Sequence, residues 1–221
     1  MTAILDGTAE PEAVGALLML MRYRTENGAE IAGFVDAIRD RLGAWRDLPV
    51  KLDWPSNASG RSRGLPLFLA AAKLLAQGGY PVMIHGYNGG PNVNADTRAH
   101  LDQVDIPLAE TPEAAQAALA VGGIVYVPLE ALDTEILRVL RLRDKFNLRS
   151  PMNTAVKAMN PSGAPFSVQG VFHPPYRELQ QEAAAELGAQ DLMVIKGGGG
   201  EFERHPSKTV EVYGLKDGAA F

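Results

Sequence analysis

The sequence predicts an α/β protein, with a small N-terminal α-helical domain followed by an α/β domain built on a largely parallel sheet. Three observations predict it. The first forty-odd residues carry two apolar stripes at helical spacing. From Val50 onward, short apolar runs alternate with helical stretches across Gly- and Pro-rich loops. The composition, 46% hydrophobic and 21% charged over 221 residues, is that of a globular chain long enough to bury a sizeable core. The expected division is 1–46 for the helical region and 47–221 for the α/β domain.

In the helical region Thr8 can cap a first helix with Pro11 in its first turn, and Val14, Leu17, Leu18 and Met21 form its stripe. Asn27 or Thr25 opens a second, where Ile31, Phe34, Val35, Ile38 and Leu42 repeat the stripe before Gly43 ends it. Two such helices cannot bury their faces alone, so a larger body or a second copy of the chain is expected beside them. Strands are expected over Val50–Leu52, Pro81–His85, Ile124–Val127, Phe166–Val171 and Leu192–Ile195. Helices are expected over Pro66–Gln77, Thr97–Gln103, Pro112–Val121, Leu129–Phe146 and Tyr176–Leu187. In such a fold, ligands are expected in loops at the carboxyl ends of the strands.

The chain contains no cysteine, which excludes disulfides, thiolate metal sites and a cysteine nucleophile. No apolar run approaches the ~20 residues of a membrane span, and no secretory signal pattern is present, so no membrane partner and a cytoplasmic location are expected. The formal net charge of −5 is unevenly spread. From Arg138 to Arg177, seven cations (Arg138, Arg141, Arg143, Lys145, Arg149, Lys157 and Arg177) accompany a single acid, Asp144. Arg138, Arg141 and Lys145 would share one face of a continuous helix, a pattern that suits phosphate binding. Part of it is also simple cation placement near a helix C-terminus.

Three loops could touch a ligand. The segment from Asp53 to Gly64, with Ser56, Asn57, Arg61 and Arg63, follows a strand and could cradle an anion or simply be a solvated connection. His85, Gly86 and Asn88 leave the next strand, where the histidine could face a ligand or cap the loop through a backbone hydrogen bond. Gly197–Gly200 could form an anion nest or a mobile turn. Glu201 and Glu203 beyond it could share Mg²⁺ only if that loop is irregular. The four histidines show no metal-ligand spacing, so no histidine metal site is expected.

The runs Leu148-Arg149-Ser150-Pro151-Met152-Asn153-Thr154, Met159-Asn160-Pro161-Ser162-Gly163-Ala164-Pro165 and Gln169-Gly170-Val171-Phe172-His173-Pro174 resemble the anthranilate phosphoribosyltransferases, which carry an arginine–asparagine–"NPAGAP"–"GVxHP" run. The N-terminal Val14–Met19 and Ile31–Phe34 segments also resemble that family's helical motifs. The resemblance implies a nucleoside phosphorylase/phosphoribosyltransferase-like fold, and a homodimer formed through the helical part. It places Asn153 in a ligand loop. Against it stand three departures. The family's "GTGGD" diphosphate loop reads Asp53-Trp54-Pro55-Ser56-Asn57-Ala58, its "KHGNR" run reads Ile84-His85-Gly86-Tyr87-Asn88, and its acidic magnesium pair falls on Phe202 and Glu203. These departures resemble a branch of the family that lacks transferase activity and binds nucleic acid along a basic groove. The chain is also short for the family, so a truncated form, incomplete at the C-terminus, is expected.

Two functions follow as expectations. One is nucleic-acid binding through Arg61, Arg63, Arg138, Arg141, Arg143, Lys145 and Arg149, with no cofactor. The other is a glycosyl- or phosphoribosyl-transferase with an unknown acceptor, which would use Mg²⁺ with Glu203 as the remaining protein acid.

Overall fold

The computed structural model describes residues 1–56, 64–87 and 96–221. Asn57, Arg61, Arg63 and Asn88 lie outside the described residues.

The chain opens with a short helix α1 (Thr2–Leu5), which the apolar pattern does not reveal. The Thr8 and Ala9 amides turn back onto the Ala3 carbonyl, and the Thr8 hydroxyl donates to the same oxygen. Thr8 therefore closes α1 instead of capping the next helix. That helix, α2 (Pro11–Arg24), starts after Glu10 with no side-chain cap. Helix α3 (Gly28–Arg39) is opened by Asn27, whose side chain accepts from the Glu30 amide while Glu30 accepts from the Asn27 amide. This reciprocal pair is a capping box. The helix ends at Arg39, earlier than the stripe suggests, and a 3-10 turn over Gly43–Asp47 carries the buried Trp45.

The α/β part follows as β1 (Leu52–Pro55), α4 (Phe68–Gln77), β2 (Val82–Gly86), α5 (Pro112–Gly122) and β3 (Ile124–Pro128). It continues through α6 (Leu129–Leu132), α7 (Thr134–Leu140), α8 (Leu142–Phe146), α9 (Met152–Ala158) and β4 (Phe166–Val171). It closes with α10 (Tyr176–Glu186), β5 (Asp191–Lys196), β6 (Val212–Lys216) and β7 (Ala219–Ala220). The sheet runs β3-β2-β1-β4-β5-β6-β7, with β1 to β5 parallel and β6 and β7 antiparallel. The terminal hairpin turns at Asp217 and Gly218, both with positive φ, as a tight hairpin requires.

Three expected elements differ. The first strand lies two residues later than the apolar run Val50–Leu52, because Val50 is buried against the helical core and pairing begins at Leu52. The span Thr97–Gln103 forms two 3-10 turns, Arg98–His100 and Asp102–Val104. The long helix expected over Leu129–Phe146 is three helices. Asp133 takes an extended conformation and its carboxylate accepts from the Glu135 and Ile136 amides, so it ends α6 and caps α7. Arg141 caps the end of α7, and Asn147, at φ 53°, ends α8.

Two apolar layers sandwich the sheet. On one face Met83, Val125 and Val127 join a cluster formed by α2, α3, α7 and α9. On the other, Trp54, Ile84 and Tyr126 pack on Phe68, Leu69 and Ala72 of α4. Part of the apolar surplus that suggested a dimer through the N-terminal helices is covered within the chain, while Leu20 and Tyr23 of α2 stay exposed. Val14, Leu18, Met21, Ile31 and Phe34 are buried, whereas Leu17 is 46% exposed.

Candidate functional site

A cavity of about 320 Å³ opens at the carboxyl ends of β4 and β5, lined by Arg22, Arg149, Ser150, Asn153, Lys157 and Phe172 among others. The location follows the rule for open α/β sheets. Glycine makes the wall possible: a Cβ on Gly170 would overlap the Glu201 carbonyl, so the turn after β5 closes onto β4 at a position where no side chain fits. The Gly198–Gly200 segment is a 3-10 turn rather than a loose loop.

Lys157 enters from α9, on the segment just before the Asn160–Pro165 loop. Its side chain borders the cavity while its ammonium donates to the Gly170 and Gly200 carbonyls, both at 2.6 Å. Burial pushes this amine down to about 8; nearby Glu201 opposes that shift and Arg149 adds to it. Arg149 is lowered by its own burial and then by the neighbouring charges of Arg143 and Arg22. Its guanidinium also lies over the Phe172 ring, 5.9 Å from the centroid. Arg22, on α2, bonds the Tyr176 hydroxyl and faces the buried Glu26 at 3.8 Å. Three cations from separate elements thus converge on one partly desolvated space beside an aromatic wall. Such a space favours an anion with a flat apolar part.

Asn153, named from sequence, lines this cavity, and its side-chain oxygen also accepts from the Ser150 amide at the start of α9. Arg149 is there too. Arg22, Lys157, Phe172, Tyr176 and Gln180 are the lining residues that sequence reasoning passed over. Lys157 carried a signal, since it belongs to the cationic run. Arg22 carried none, because nothing local links it to residues more than a hundred positions away.

The remaining candidates lie elsewhere. His85 neither caps a loop through the backbone nor faces open space. It is fully buried, with Nε2 3.0 Å from Asp53, whose other oxygen accepts from Ser167 at 2.8 Å. Ser56 is buried and shares a hydrogen bond with Thr97 at 2.7 Å, and a Cβ on Gly86 would overlap the Ser56 carbonyl. These residues knit the ends of β1 and β2 together. Arg138, Arg141 and Lys145 border a separate groove of about 480 Å³ on α7 and α8, not one uninterrupted helix face. Arg138 bonds Glu135 at 2.6 Å and the Ile4 carbonyl at 3.0 Å. Arg141 and Arg143 both face Asp144, at 3.5 and 3.7 Å.

Glu201 is fully buried and close to Lys157, and the Glu203 side chain accepts from the Phe68 amide at 3.1 Å. The two acids therefore do not offer a paired, solvent-facing carboxylate site for a hydrated cation. Among the described residues no three His, Asp or Glu side chains group as metal ligands. Among them, too, no helix is long and apolar enough to cross a membrane.

The chain is 26% identical to the anthranilate phosphoribosyltransferase of Geobacillus thermodenitrificans over 219 residues, 99% of this chain. The resemblance is to the anthranilate phosphoribosyltransferases. The enzyme of that name from Methanosarcina acetivorans is 29% identical over 213 residues, 96% of this chain and 57% of its own length. The crystal structure of the anthranilate phosphoribosyltransferase from Thermus thermophilus superposes with a TM-score of 0.76 at 26% identity, over 97% of this chain and 67% of that one. The Saccharomyces cerevisiae anthranilate phosphoribosyltransferase, in complex with PRPP and Mg, shares the fold at a TM-score of 0.73 and 15% identity. Residues 1–42 match the helical bundle domain of the glycosyl transferase family. The chain spans 64% of the length of the Geobacillus thermodenitrificans relative.

Proposed function

We propose that this chain is the helical and α/β part of a transferase of the phosphoribosyl type, acting on an anionic acceptor. The observation that carries the reading is the convergence of Arg22, Arg149 and Lys157 on the cavity beside Phe172. The names of the relatives point the same way, because an anthranilate phosphoribosyltransferase joins a ribosyl phosphate to an aromatic carboxylate.

In this reading the cations hold the acceptor's carboxylate, and Phe172 packs against its flat body. The bond broken is that between the ribosyl anomeric carbon and the leaving diphosphate, and the acceptor's nucleophilic atom takes its place. No side-chain nucleophile is needed, so the chain's own contribution is to bind, orient and neutralise charge. The acids present do not fit a Mg²⁺ ion, because Glu201 is buried beside Lys157 and Glu203 accepts from the Phe68 amide, so no step is assigned to a metal.

Isothermal titration of the full chain with PRPP and Mg²⁺, and separately with anthranilate, tests the reading. Saturable anthranilate binding that weakens about tenfold or more in Arg149→Ala supports it. No saturable binding of either compound, with oligonucleotide binding that falls steeply with salt, would replace it with the nucleic-acid reading.

A further inference from the structure

A second polar cavity, of about 260 Å³, lies at the opposite, amino end of β4, and shares no lining residue with the first. Its wall includes Arg39, Arg46, Asn160, Ser167, Gln169 and Asp191. Arg39 is in the last turn of α3 and donates Nε to the Met159 carbonyl at 2.9 Å. Arg46 projects from the 3-10 turn that follows. Neither guanidinium forms an ion pair within 4.0 Å among the described residues. The acids nearby are committed elsewhere or stand further off. Asp53 accepts from His85 and Ser167, and Lys216 holds Asp191 at 2.8 Å. Asp36 acts on Arg39 only through its field, as Asp53 does, while Arg46 opposes both.

A second, independent observation points into the same space. Gln169 is only 2% exposed, lines the cavity, and leaves its Oε1 without a hydrogen-bond partner among the described residues. An unpaired amide oxygen calls for a donor, so Gln169 serves an anion only in the flipped orientation that turns its Nε2–H toward the cavity. Gly163, at φ 64°, lets the chain pass close to the Arg46 guanidinium, since a Cβ there would sit 3.2 Å from it. Two guanidiniums on one cavity, neither paired with a carboxylate among the described residues, can hold an anion.

We propose that this cavity is a second binding site, for a doubly charged phosphate group held between Arg39, Arg46 and the Gln169 amide. Two guanidinium forks match a tetrahedral dianion, and the volume exceeds that of inorganic phosphate, leaving room for a small phosphate monoester. Calorimetric titration of the full chain with inorganic phosphate, then with glycerol 3-phosphate, tests this at low ionic strength. The variants are Arg46→Gln, which changes an exposed side chain, and Arg149→Gln, which changes the other cavity. The expected result is a binding event weakened about tenfold or more in Arg46→Gln and retained in Arg149→Gln, with the ligand-free melting temperature of Arg46→Gln unchanged. The proposal is overturned if wild type shows no saturable binding, if Arg46→Gln binds as wild type does, or if Arg149→Gln abolishes all binding. Failure here leaves the acceptor cavity untouched, because Arg149→Gln is read separately.

Discussion

Two groups of cations lie close together in sequence and differ in nearly every physical respect. Arg149 and Lys157, with Arg22 from α2, line a half-open cavity in which burial, and then repulsion from neighbouring cations, shifts both Arg149 and Lys157. Arg138, Arg141 and Arg143 sit on α7 and α8 in partial solvent contact, facing Glu135 or Asp144. The sequence is denser in cations along the second group, with four in residues 138–145 against two in residues 149–157. What separates them is desolvation, and the difference teaches that neighbouring cations make a strong anion site where the fold withholds water from them.

Lys157→Met should break this contrast most strongly. It removes two short hydrogen bonds and the cation near buried Glu201, so urea unfolding should show a loss of about 2–4 kcal/mol. A loss under about 0.5 kcal/mol would mean the lysine is as dispensable as a surface one.

The pH dependence sharpens the comparison. In the folded chain the Lys157 pKa stands at about 8, below the ordinary lysine value of 10.5. Between those values the unfolded chain binds more protons, so this lysine makes stability rise with pH across the window; below it the cost of a charged Lys157 is fully present. Anion affinity should move the opposite way, weakening several-fold as pH rises through about 8. Both trends should flatten in Lys157→Met, and a profile identical to wild type would remove Lys157 from the site.

The smallest effect is expected on the other side. Joint replacement of Arg141 and Lys145 by Gln should change stability by no more than about 0.5 kcal/mol in a denaturant titration. Anthranilate and phosphate affinity should stay as in wild type. A collapse of oligonucleotide binding in this variant would reverse the comparison and make α7 and α8 the functional surface.

The fold was largely legible. Alternating strand and helix patterns required helices on both faces of a parallel sheet, and Asn27 marked the start of α3 through a cap read directly from adjacent residues. The breaks at Asp133 and Arg141 were harder to see, because Leu129–Phe146 keeps a helical apolar rhythm and only the Asp133 dihedrals interrupt it. The terminal hairpin was missed although Val210-Glu211-Val212 alternates and Asp217-Gly218 is a turn signal, because the strand is short and interrupted by Gly214.

The sequence by itself determined local and periodic features: the Asn27 cap, the apolar faces and the strand-helix alternation. It could not place Arg22 beside Arg149, or say that His85 is buried against Asp53. Nor could it show that Arg39 and Arg46 share a cavity with Gln169. Those facts depend on contacts between residues far apart in the chain, on burial, and on which carboxylates are already engaged. Electrostatic energies depend on distance and desolvation rather than on order along the chain, so only the tertiary structure decided which cations line a desolvated cavity.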